Sequence, residues 1–332
     1  MKTFSSCIIV GAGISGLLAA TRLQRDGVQV TVLEKGRGFG GRMATRRIEK
    51  AVFDHGAQFV TTREAAFREL VEGWMEEGLA RPWYKGPLGN MRYVGVNGMN
   101  TVPKALGAKL NVLRSEKVTR LKWDKNRWVV FADASDEEGK ITKKRHEAEY
   151  LVLSAPVPQS LKLLQESNID LDYDEEEELS RITYTKCITA MVHLNGPAGL
   201  PNPGAMDLNH PVLRWIGDNS VKNVSPVPGS ITINSSPKFA ERYWDASDEE
   251  RLPVLLDAAR PFIKADVVSA VGHRWGFSDP VRIYREKEPF RKPYYIDSEH
   301  PFALCGDGFG GARIEAAAIS GMQLAEKLVR PI

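Results

Sequence analysis

The feature that most constrains this chain is a glycine-rich turn placed between an apolar strand and a helix near the start of the sequence. Residues 7–10 are apolar, residues 11–16 carry three glycines in the spacing GxGxxG, and residues 28–34 form a second apolar stretch that ends on Glu34. A lone GxGxxG motif is a weak signal, but here the strand, the helix and the acid all stand where a βαβ unit needs them. The sequence therefore predicts a dinucleotide-binding unit of the Rossmann type.

Each glycine of this turn has its own physical reason. Gly11 permits the tight turn, Gly13 lets the backbone approach a pyrophosphate, and Gly16 allows the helix to pack closely on the strand. The helix that follows offers free backbone N–H groups and partial positive charge to the phosphates. Glu34 stands eighteen residues after Gly16, where its carboxylate can accept hydrogen bonds from ribose hydroxyls.

A second glycine-rich loop, residues 35–43, follows Glu34 directly and carries Arg37 and Arg42. An NAD site does not need this loop, whereas a larger cofactor can use it for a second close approach of the backbone. Arginine side chains there can donate to a phosphate or to an electron-rich ring edge. The alternative is a flexible basic surface loop. Its position argues against that alternative, because ligands bind at the carboxyl ends of parallel strands.

Length and composition are those of an ordinary globular protein of about two domains. The chain has 332 residues, 26% charged and 42% hydrophobic, and a formal net charge of +3. That charge is too small to indicate a nucleic-acid partner or an acidic membrane surface, and no apolar run has the length of a membrane span. The cysteines Cys7, Cys187 and Cys305 are widely spaced, so we expect inert core thiols, no metal site and a reduced, cytoplasmic compartment.

The rest of the chain predicts a return to the first unit and then a second domain. Patterning indicates a helix over residues 63–78, an antiparallel pair at 118–123 and 128–132, an exposed charged turn over 133–149, and a strand at 150–154 that rejoins the parallel sheet. Six acids among residues 172–178 are expected to be a solvated surface run and not a metal site. Further segments are strands at 188–194, 213–217, 230–234 and 302–307, and helices over 247–262, with a capping box at its start, and 314–329.

These motifs together resemble the FAD-binding amine-oxidase superfamily, and most closely its renalase family, in particular the bacterial branch. The likeness rests on the glycine turn, on Gly40-Gly41-Arg42-Met43, on Asp54-His55-Gly56-Ala57-Gln58-Phe59 and on Cys305-Gly306-Asp307. Further resemblances are spread over nearly the whole chain: Arg92-Tyr93-Val94-Gly95, Leu153-Ser154-Ala155-Pro156, His273-Arg274-Trp275 and Glu315-Ala316.

The resemblance implies an α/β fold with two domains. The first is a Rossmann-type FAD-binding domain with a parallel sheet. The second is an α+β substrate domain on a mixed or antiparallel sheet, as in amine oxidases and p-hydroxybenzoate hydroxylase. The implied boundaries are residues 1–62, 99–156 and 300–332 for a discontinuous FAD-binding domain, and residues 63–98 and 157–299 for the substrate domain.

The same resemblance implies FAD held without a covalent bond, since no cysteine or histidine stands in a recognisable attachment motif. The backbone of Val118 would bind the adenine, and Asp307 would lie at the ribityl or pyrophosphate part. The helix start near Ile314 would face the flavin N1–C2=O edge, where a helix N-terminus stabilises an anion by up to ~2 kcal/mol. We expect the backbone of Glu315, not its carboxylate, to face the ring. The full expected cofactor set is Gly11, Ala12, Gly13, Ile14, Ser15, Gly16, Glu34, Lys35, Arg37, Gly41, Arg42, Met43, His55, Gly56, Ala57, Gln58, Val118, Gly306, Asp307, Ile314, Glu315 and Ala316.

For activity, the resemblance implies an FAD-dependent oxidoreductase, a renalase-like oxidase. It would take a hydride from dihydropyridine isomers of NAD(P)H onto FAD N5, giving NAD(P)+ and, with O2 or another acceptor, H2O2. An NAD(P)-type molecule is then the substrate. Because such a molecule is already an activated hydride donor, no strong general base is required, which suits a chain without an evident acid–base constellation.

Other functions stay open at this point. One is a flavin amine oxidase, which should show an aromatic pair around the amine and a lysine near N5; neither can be placed from sequence. Another is an NAD(P)H-dependent flavin reductase of a small-molecule acceptor, although no second GxGxxG unit is visible. The last is a non-catalytic FAD-containing protein.

The expected residues of the substrate pocket are His273, Arg274 and Trp215. His273 would hydrogen-bond a carboxamide, Arg274 would meet a phosphate or carboxylate, and Trp215 would form a wall of the ring pocket. Each has a structural alternative, because a histidine or tryptophan in an apolar strand is commonly a core residue. The protein is expected to act on a small molecule as a monomer or homodimer.

Overall fold

A computed structural model describes residues 4–285, 287–289 and 291–329. The chain forms two compact units. Unit 1 comprises Met1–Gly41, Pro103–Thr183 and Pro280–Ile332, and unit 2 comprises Arg42–Val102 and Tyr184–Asp279.

The strands are β1 (Ser6–Val10), β2 (Gln29–Glu34), β3 (Thr45–Ile48), β4 (Ala51–Asp54), β5 (Ala80–Lys85), β6 (Met91–Gly95), β7 (Asn111–Arg114), β8 (Glu116–Asp124), β9 (Arg127–Ser135), β10 (Ile141–Ala148), β11 (Tyr150–Leu153), β12 (Cys187–Leu194), β13 (Ala205–Asp207), β14 (Leu213–Asp218), β15 (Ser230–Ser235), β16 (Val267–Trp275), β17 (Tyr294–Ile296) and β18 (Phe302–Cys305). The α-helices are α1 (Ile14–Arg25), α2 (Ala65–Glu76), α3 (Thr101–Ala108), α4 (Val157–Glu166), α5 (Tyr173–Ser180), α6 (Pro237–Arg242), α7 (Asp248–Ala259) and α8 (Ile314–Val329).

Unit 1 is built on a six-stranded sheet in the order β17-β18-β11-β1-β2-β7. All neighbouring pairs are parallel except β17, which runs antiparallel to β18. The central strands are continuous apolar runs, as expected for strands buried on both faces. Ile9, Val32 and Val152 of the sheet share one core with Leu17 of α1 and Leu324 of α8. The expected α/β fold with a parallel Rossmann-type sheet is confirmed.

A three-stranded antiparallel sheet, β10-β9-β8, follows in unit 1. The expected pair at 118–123 and 128–132 is confirmed as β8 and β9. The segment 133–149 is largely exposed, as expected, but the turn predicted for it is wrong. Most of that segment is β10, whose Lys143 stands opposite Asp133 of β9 and pairs with it at 2.7 Å. An edge strand with charged, solvent-facing side chains has the composition of a loop, which is why patterning missed it.

Unit 2 is built on a five-stranded antiparallel sheet in the order β13-β14-β15-β12-β16. One face is apolar: Ile188 and Val192 of β12 and Ile233 of β15 share a core with Phe239 of α6 and Leu255 of α7. Helix α7 begins with the expected capping arrangement, in which the Ser247 N–H donates to Glu250 Oε2 at 2.8 Å. The opposite face of this sheet carries the polar residues considered below.

The two units divide the chain at other positions than the sequence suggests for the domains. Residues 42–62 and 99–102 lie in unit 2. The hairpin β3–β4 belongs there because Phe53 packs on Met191 of β12. Residues 157–183 and 280–299 lie in unit 1, where Leu121 N–H of β8 donates to Ser167 Oγ at 2.8 Å, at the end of α4.

The acidic run of residues 172–178 forms most of α5. Asp172 caps this helix, its Oδ1 accepting from the N–H of Asp174 at 3.0 Å, and acids in a first turn are stabilised by the helix dipole. Within the described part of the chain, no three histidines, cysteines or acids come together as metal ligands would. Among residues 4–329, apart from 286 and 290, no helix combines the length and apolar character that crossing a membrane requires.

Candidate functional site

The glycine turn of unit 1 leaves β1 and enters α1 with a geometry that requires two of its glycines. Gly11 has a φ of +111° and its N–H donates to the Leu33 carbonyl at 2.8 Å. A Cβ on Gly16 would lie 2.3 Å from the Gly11 carbonyl oxygen and 2.5 Å from Ser154 Oγ. Helix α1 therefore packs against the strand ends as closely as the sequence suggests.

Gly13 precedes the first residue of α1 and stands at open space. Its backbone is extended, with φ −73° and ψ 169°, and a Cβ placed on it would meet nothing within 4 Å. Without a side chain, Gly13 cannot cap the free N–H groups of the first helical turn. An uncapped helix N-terminus beneath open space fits a bound pyrophosphate.

Glu34 ends β2 and ties the glycine turn to the loop that follows. Its Oε2 accepts from Ala12 N–H at 2.8 Å and its Oε1 from Gly36 N–H at 2.6 Å. The residue is 9% exposed. Because a carboxylate has about four acceptor positions, these two bonds leave capacity for the hydroxyls of a ribose.

The second glycine-rich loop lies over the first. Gly40 N–H donates to the Ala12 carbonyl at 2.9 Å, and a Cβ on Gly41, which has a φ of +53°, would lie 3.7 Å from Gly13 Cα. Lys35 Nζ donates to Gln159 Oε1 at 3.3 Å, and Arg37 is exposed. The structure thus brings the two loops together within unit 1, as a large nucleotide cofactor requires.

The end of β18 and the start of α8 complete this part of unit 1. Gly306 has a φ of +140°, and Asp307 beside it is 6% exposed. Helix α8 begins at Ile314, as predicted, and a Cβ on Gly321 would lie 2.1 Å from the Ser15 carbonyl oxygen, so α8 packs directly on α1.

Glu315, the second residue of α8, is 1% exposed, and its Oε2 lies 3.6 Å from Arg313 Nε. Ala316 beside it is buried as well. Val118, expected to meet the adenine through its backbone, lies on β8 where the pairing with β9 shifts by one residue. Such a shift interrupts the regular ladder of backbone hydrogen bonds.

The remaining expected cofactor residues, Arg42, Met43 and residues 55–58, lie in unit 2. The Arg42 guanidinium donates to the carbonyls of Phe277 and Ser278, both at 3.3 Å, and its own carbonyl accepts from Ala57 N–H at 2.8 Å. A Cβ on Gly56 would lie 2.0 Å from the Arg42 carbonyl oxygen. Only glycine fits at position 56, so the segments around Arg42 and Gly56 pack directly against each other. Met43 is buried.

The polar face of the five-stranded sheet carries one residue from each strand at the same level. Cross-strand partners in a sheet point to the same face. The row is Asp207 of β13, Trp215 of β14, Asn234 of β15, Thr189 of β12 and His273 of β16. Two of the expected pocket residues, Trp215 and His273, therefore share a face.

Arg274 lies on the other face of β16, because successive residues of a strand alternate. Its guanidinium stands 5.4 Å from the Trp244 ring and donates to the Trp244 carbonyl at 2.7 Å. Lys186 also approaches that ring, at 4.7 Å. The structure therefore separates Arg274 from His273, with which the sequence had grouped it.

At one end of the row, His273 packs with His55 and Trp275. The ring centroids of His55 and His273 are 4.9 Å apart, and the Trp275 indole N–H donates to the His55 carbonyl at 2.9 Å. Burial, then His273 and Arg46, lower the pKa of His55 to about 4, and burial and Arg46 also lower the pKa of His273. Both imidazoles are therefore neutral at neutral pH. Nδ1 of His55 is buried without a hydrogen-bond partner in the described part of the chain.

At the other end of the row, Trp215 stands in an aromatic cluster. Phe59 lies 5.6 Å and Trp83 6.3 Å from it, centroid to centroid. The guanidinium of Arg92 lies 4.0 Å from the Phe59 ring and forms an ion pair with Asp207 at 2.7 Å. The Trp215 indole N–H is buried with no acceptor among the described residues.

Sequence reasoning missed Asn234 on this face. It also did not single out Arg46, which acts on both imidazoles, or the buried ion pair of Lys222 with Asp54, at 2.6 Å. Asn234 had a usable signal, a polar residue at an inward position of a predicted strand. Lys222 follows β14 in a turn, where a lysine is ordinarily exposed.

The cysteines are free and buried, as expected. Burial raises the pKa of Cys187 to about 11 and of Cys305 to about 12, and raises that of Cys7 further. A thiol kept protonated is a poor nucleophile, which fits a flavin that is not attached through sulfur.

Comparison with known proteins agrees with this geometry. Residues 9–73 match the family model of NAD(P)-binding Rossmann-like domains, and residues 75–329 match that of flavin-containing amine oxidoreductases. The second match covers well over half of the chain.

Similar curated proteins match over short segments. They include the protein FLOWERING LOCUS D of Arabidopsis thaliana, 58% identical over 45 residues, or 14% of this chain and 6% of that protein. A probable flavin-containing monoamine oxidase A of Dictyostelium discoideum is 35% identical over 72 residues, 22% of this chain and 16% of that protein. The chain thus matches well under a fifth of the length of these relatives.

Solved structures match over the whole fold. A putative protoporphyrinogen oxidase from Exiguobacterium sp. 255-15 superposes with a TM-score of 0.72 at 14% identity, covering 98% of both chains. Putrescine oxidase bound to putrescine gives a TM-score of 0.70 at 17% identity, covering 98% of this chain and 99% of that one. These likenesses are to the fold. The family match, supported by the glycine turn, Glu34 and the flavin-type second loop, shows that the chain belongs to the flavin-containing amine oxidoreductases, a family of FAD-dependent oxidoreductases.

Proposed function

We propose that this protein is an FAD-dependent oxidase of renalase type, which oxidises dihydropyridine isomers of NAD(P)H to NAD(P)+. When bound, FAD supplies the redox chemistry, accepting a hydride and passing the electrons to O2 as H2O2. Non-covalent FAD would be held through the helix N-terminus at Gly13 and through Glu34 in unit 1. A small-molecule substrate in a cytoplasmic setting is part of the same proposal.

The observation that supports the proposal is the charge state of the groups at the polar face of the five-stranded sheet in unit 2. Apart from Asp207, which is paired with Arg92, the hydrogen-bonding groups at this face are neutral: Asn234, Thr189 and the two imidazoles of His55 and His273. The cations Arg92 and Lys222 lie beside it, each paired with an acid, and Arg46 acts on both imidazoles. A protonated amine would find Asp207 already paired with Arg92, and Asp54 buried and already paired with Lys222. A neutral ring with a carboxamide suits this face better.

The roles of the chain's own residues follow from that chemistry. His273 and His55, both neutral, can each donate one hydrogen bond and accept another, which matches a carboxamide. Trp215, with Phe59 and Trp83 beside it, offers a flat apolar wall against which a dihydropyridine ring can stack. None of these groups needs to remove a proton, because the substrate leaves as a cation once the hydride has gone.

A flavin amine oxidase is the second candidate. The aromatic cluster of Phe59, Trp83 and Trp215 favours it, as does the structural likeness to putrescine oxidase. The ion pairing of Asp207 and Asp54 argues against it, because a cationic amine would need a carboxylate of its own.

Anaerobic reduction of the bound flavin separates these functions. The purified yellow protein is mixed with 2- and 6-dihydro isomers of NAD(P)H, with ordinary NAD(P)H and with a panel of amines that includes putrescine, and the visible band is followed in time. We expect rapid bleaching by the isomers alone. Rapid bleaching by an amine contradicts the proposal in favour of the amine oxidase. Bleaching by ordinary NAD(P)H points to a reductase, and no bleaching by any of them would leave only an FAD-binding protein.

A further inference from the structure

Lys222 is an unusual lysine, because it is buried although it stands in a turn after β14. Its side chain is 1% exposed, and its Nζ lies 2.6 Å from Oδ2 of Asp54, whose side chain is 0% exposed. Lysine is almost never fully buried unless it is paired. The pair joins residues 168 positions apart in the chain.

The other oxygen atoms of Asp54 also accept hydrogen bonds. Its Oδ1 accepts from Thr45 Oγ1 at 2.6 Å and from Met99 N–H at 2.8 Å. Its carbonyl accepts from Gln58 Nε2 at 2.7 Å and from Thr232 Oγ1 at 3.0 Å. A carboxylate with this many hydrogen-bond donors is held in one place.

His55 is the next residue, and it is 7% exposed. The groups that act on its imidazole come from several elements: Arg46 of β3, His273 of β16, Asp54, and the carbonyl of Phe53. Arg46 and His273 oppose a positive charge on the ring, whereas Asp54 and Phe53 favour one. The charge on Asp54 is therefore the main force for protonating His55, and Lys222 is the cation that offsets it. Arg81, whose guanidinium donates to the Lys222 carbonyl, is a further cation near the pair.

We propose that Lys222 is a positioning residue which, by neutralising and anchoring Asp54, keeps His55 a neutral imidazole in a fixed orientation. The Lys222 ammonium group donates its hydrogen bond to Asp54, the residue before His55. It acts through one carboxylate and the peptide that follows it. Its Nζ also stands 5.3 Å from the Trp83 ring, so the same ammonium group supports the aromatic wall beside Trp215.

The inference rests on the proposed function in one respect only, that His55 is taken to bind the substrate. The protonation state of His55 can be measured whatever the substrate. Failure of the isomers to bleach the flavin would therefore overturn the proposed function and leave this proposal standing.

The test removes the charge of Lys222 and keeps a hydrogen-bond donor. In Lys222→Gln holoenzyme, NMR of isotope-labelled histidines, with His55 assigned from a His55→Gln sample, should show the pKa of His55 raised by about one pH unit or more. In Lys222→Gln/Asp54→Asn, which has neither charge, His55 should titrate close to its wild-type value. The acid limb of the pH profile for flavin reduction should move upward in the single variant and return in the double variant.

A merely structural role for Lys222 makes a different prediction. If Lys222 is only structural, the pKa of His55 should be unchanged in Lys222→Gln, or should change at least as much in the double variant as in the single one. Either result overturns the proposal. If Lys222→Gln does not fold, the Asp54→Asn variant tests the same proposal, and in it the pKa of His55 should fall instead of rise. It leaves the Lys222 charge uncompensated, so His55 should then titrate at a lower pH than in the wild type, and no change or an upward change contradicts the inference.

Discussion

Gly13 and Gly16 belong to the same motif, but the structure gives them different tasks. At Gly16 a side chain collides with the protein itself, 2.3 Å from a carbonyl oxygen. At Gly13 a Cβ meets no protein atom within 4 Å, and the backbone angles suit any residue. Gly16 is thus required by the fold, whereas Gly13 is required only if a ligand fills the space above it.

This difference makes Gly13→Val an informative substitution. The variant should fold with a free energy of unfolding within about 1 kcal/mol of the wild-type apoprotein, because a Cβ at this position has no protein atom within 4 Å. It should nevertheless be purified colourless, because the valine occupies the space of the pyrophosphate. Absorbance at 450 nm per protein and chemical denaturation of both apoproteins check the two expectations.

Gly73→Val is the matched control, since a Cβ on Gly73, in helix α2, also meets nothing within 4 Å. This variant should fold and keep its yellow colour. A Gly13→Val protein with a full complement of FAD would show that the pyrophosphate does not bind at this helix N-terminus.

The roles of some residues could be predicted from the sequence, and those of others could not. The tasks of Gly11 and Gly16 could be predicted, because each acts within one βαβ unit whose geometry follows from local pattern. The bonds of Glu34 to the N–H groups of Ala12 and Gly36 were not predicted, and its bond to a ribose stays a prediction. Lys222 could not be predicted, because its burial depends on Asp54, 168 positions away, and nothing in the turn around Lys222 indicates that partner.

Among the elements, β16 shows that adjacent residues of a sequence motif can lie on opposite faces of a sheet. His273 and Arg274 are adjacent in the chain, but the strand points them to opposite faces, His273 towards His55 and Arg274 towards Trp244. The strands β12, β14 and β15 were predicted close to their observed limits. The row that joins Trp215, Asn234 and His273 was not, because register between strands is set by tertiary pairing.

Substitutions on the two faces of β16 should therefore act differently on the reaction. His273→Ala should slow flavin reduction by a good substrate at least about tenfold, the loss of roughly one hydrogen bond of 1.4 kcal/mol or more, while the protein stays yellow. Arg274→Ala should leave the rate and the substrate concentration dependence within about twofold, since its partners are on the helix-covered side of the sheet. Stopped-flow reduction over a range of substrate concentrations measures both.

Trp244 supplies the control for this comparison. Trp244→Leu removes the ring against which Arg274 stacks, and it should resemble Arg274→Ala in flavin reduction and lower only the thermal stability. Loss of rate in Arg274→Ala as large as that in His273→Ala would mean that the helix-covered face, and not the polar face, meets the substrate.

For the whole molecule, the proposed function assigns different tasks to the two units. The groups proposed for a pyrophosphate and a ribose, at Gly13 and Glu34, lie in unit 1, and the polar row with its aromatic wall, proposed for the substrate, lies in unit 2. Fold class and the nucleotide motif were accessible from sequence because they depend on unit 1, which is built from local βαβ pattern. The compact units divide the chain differently from the domains expected from sequence, since the hairpin β3–β4 joins unit 2 through the burial of Phe53 on Met191.

Removal of the cofactor tests this division of work and the absence of a covalent bond together. Acid precipitation should leave the yellow colour in the supernatant, since the thiols are buried and protonated. Returning FAD to the refolded or chaotrope-stripped apoprotein at a hundred times its Kd should stabilise it by ~2.7 kcal/mol, seen as a rise in Tm. Riboflavin, which lacks both phosphates and the adenosine, should raise Tm far less at the same concentration, because Gly13 and Glu34 would have nothing to bind. Equal stabilisation by riboflavin would place the binding energy in the flavin ring and would remove the pyrophosphate from its assigned helix N-terminus.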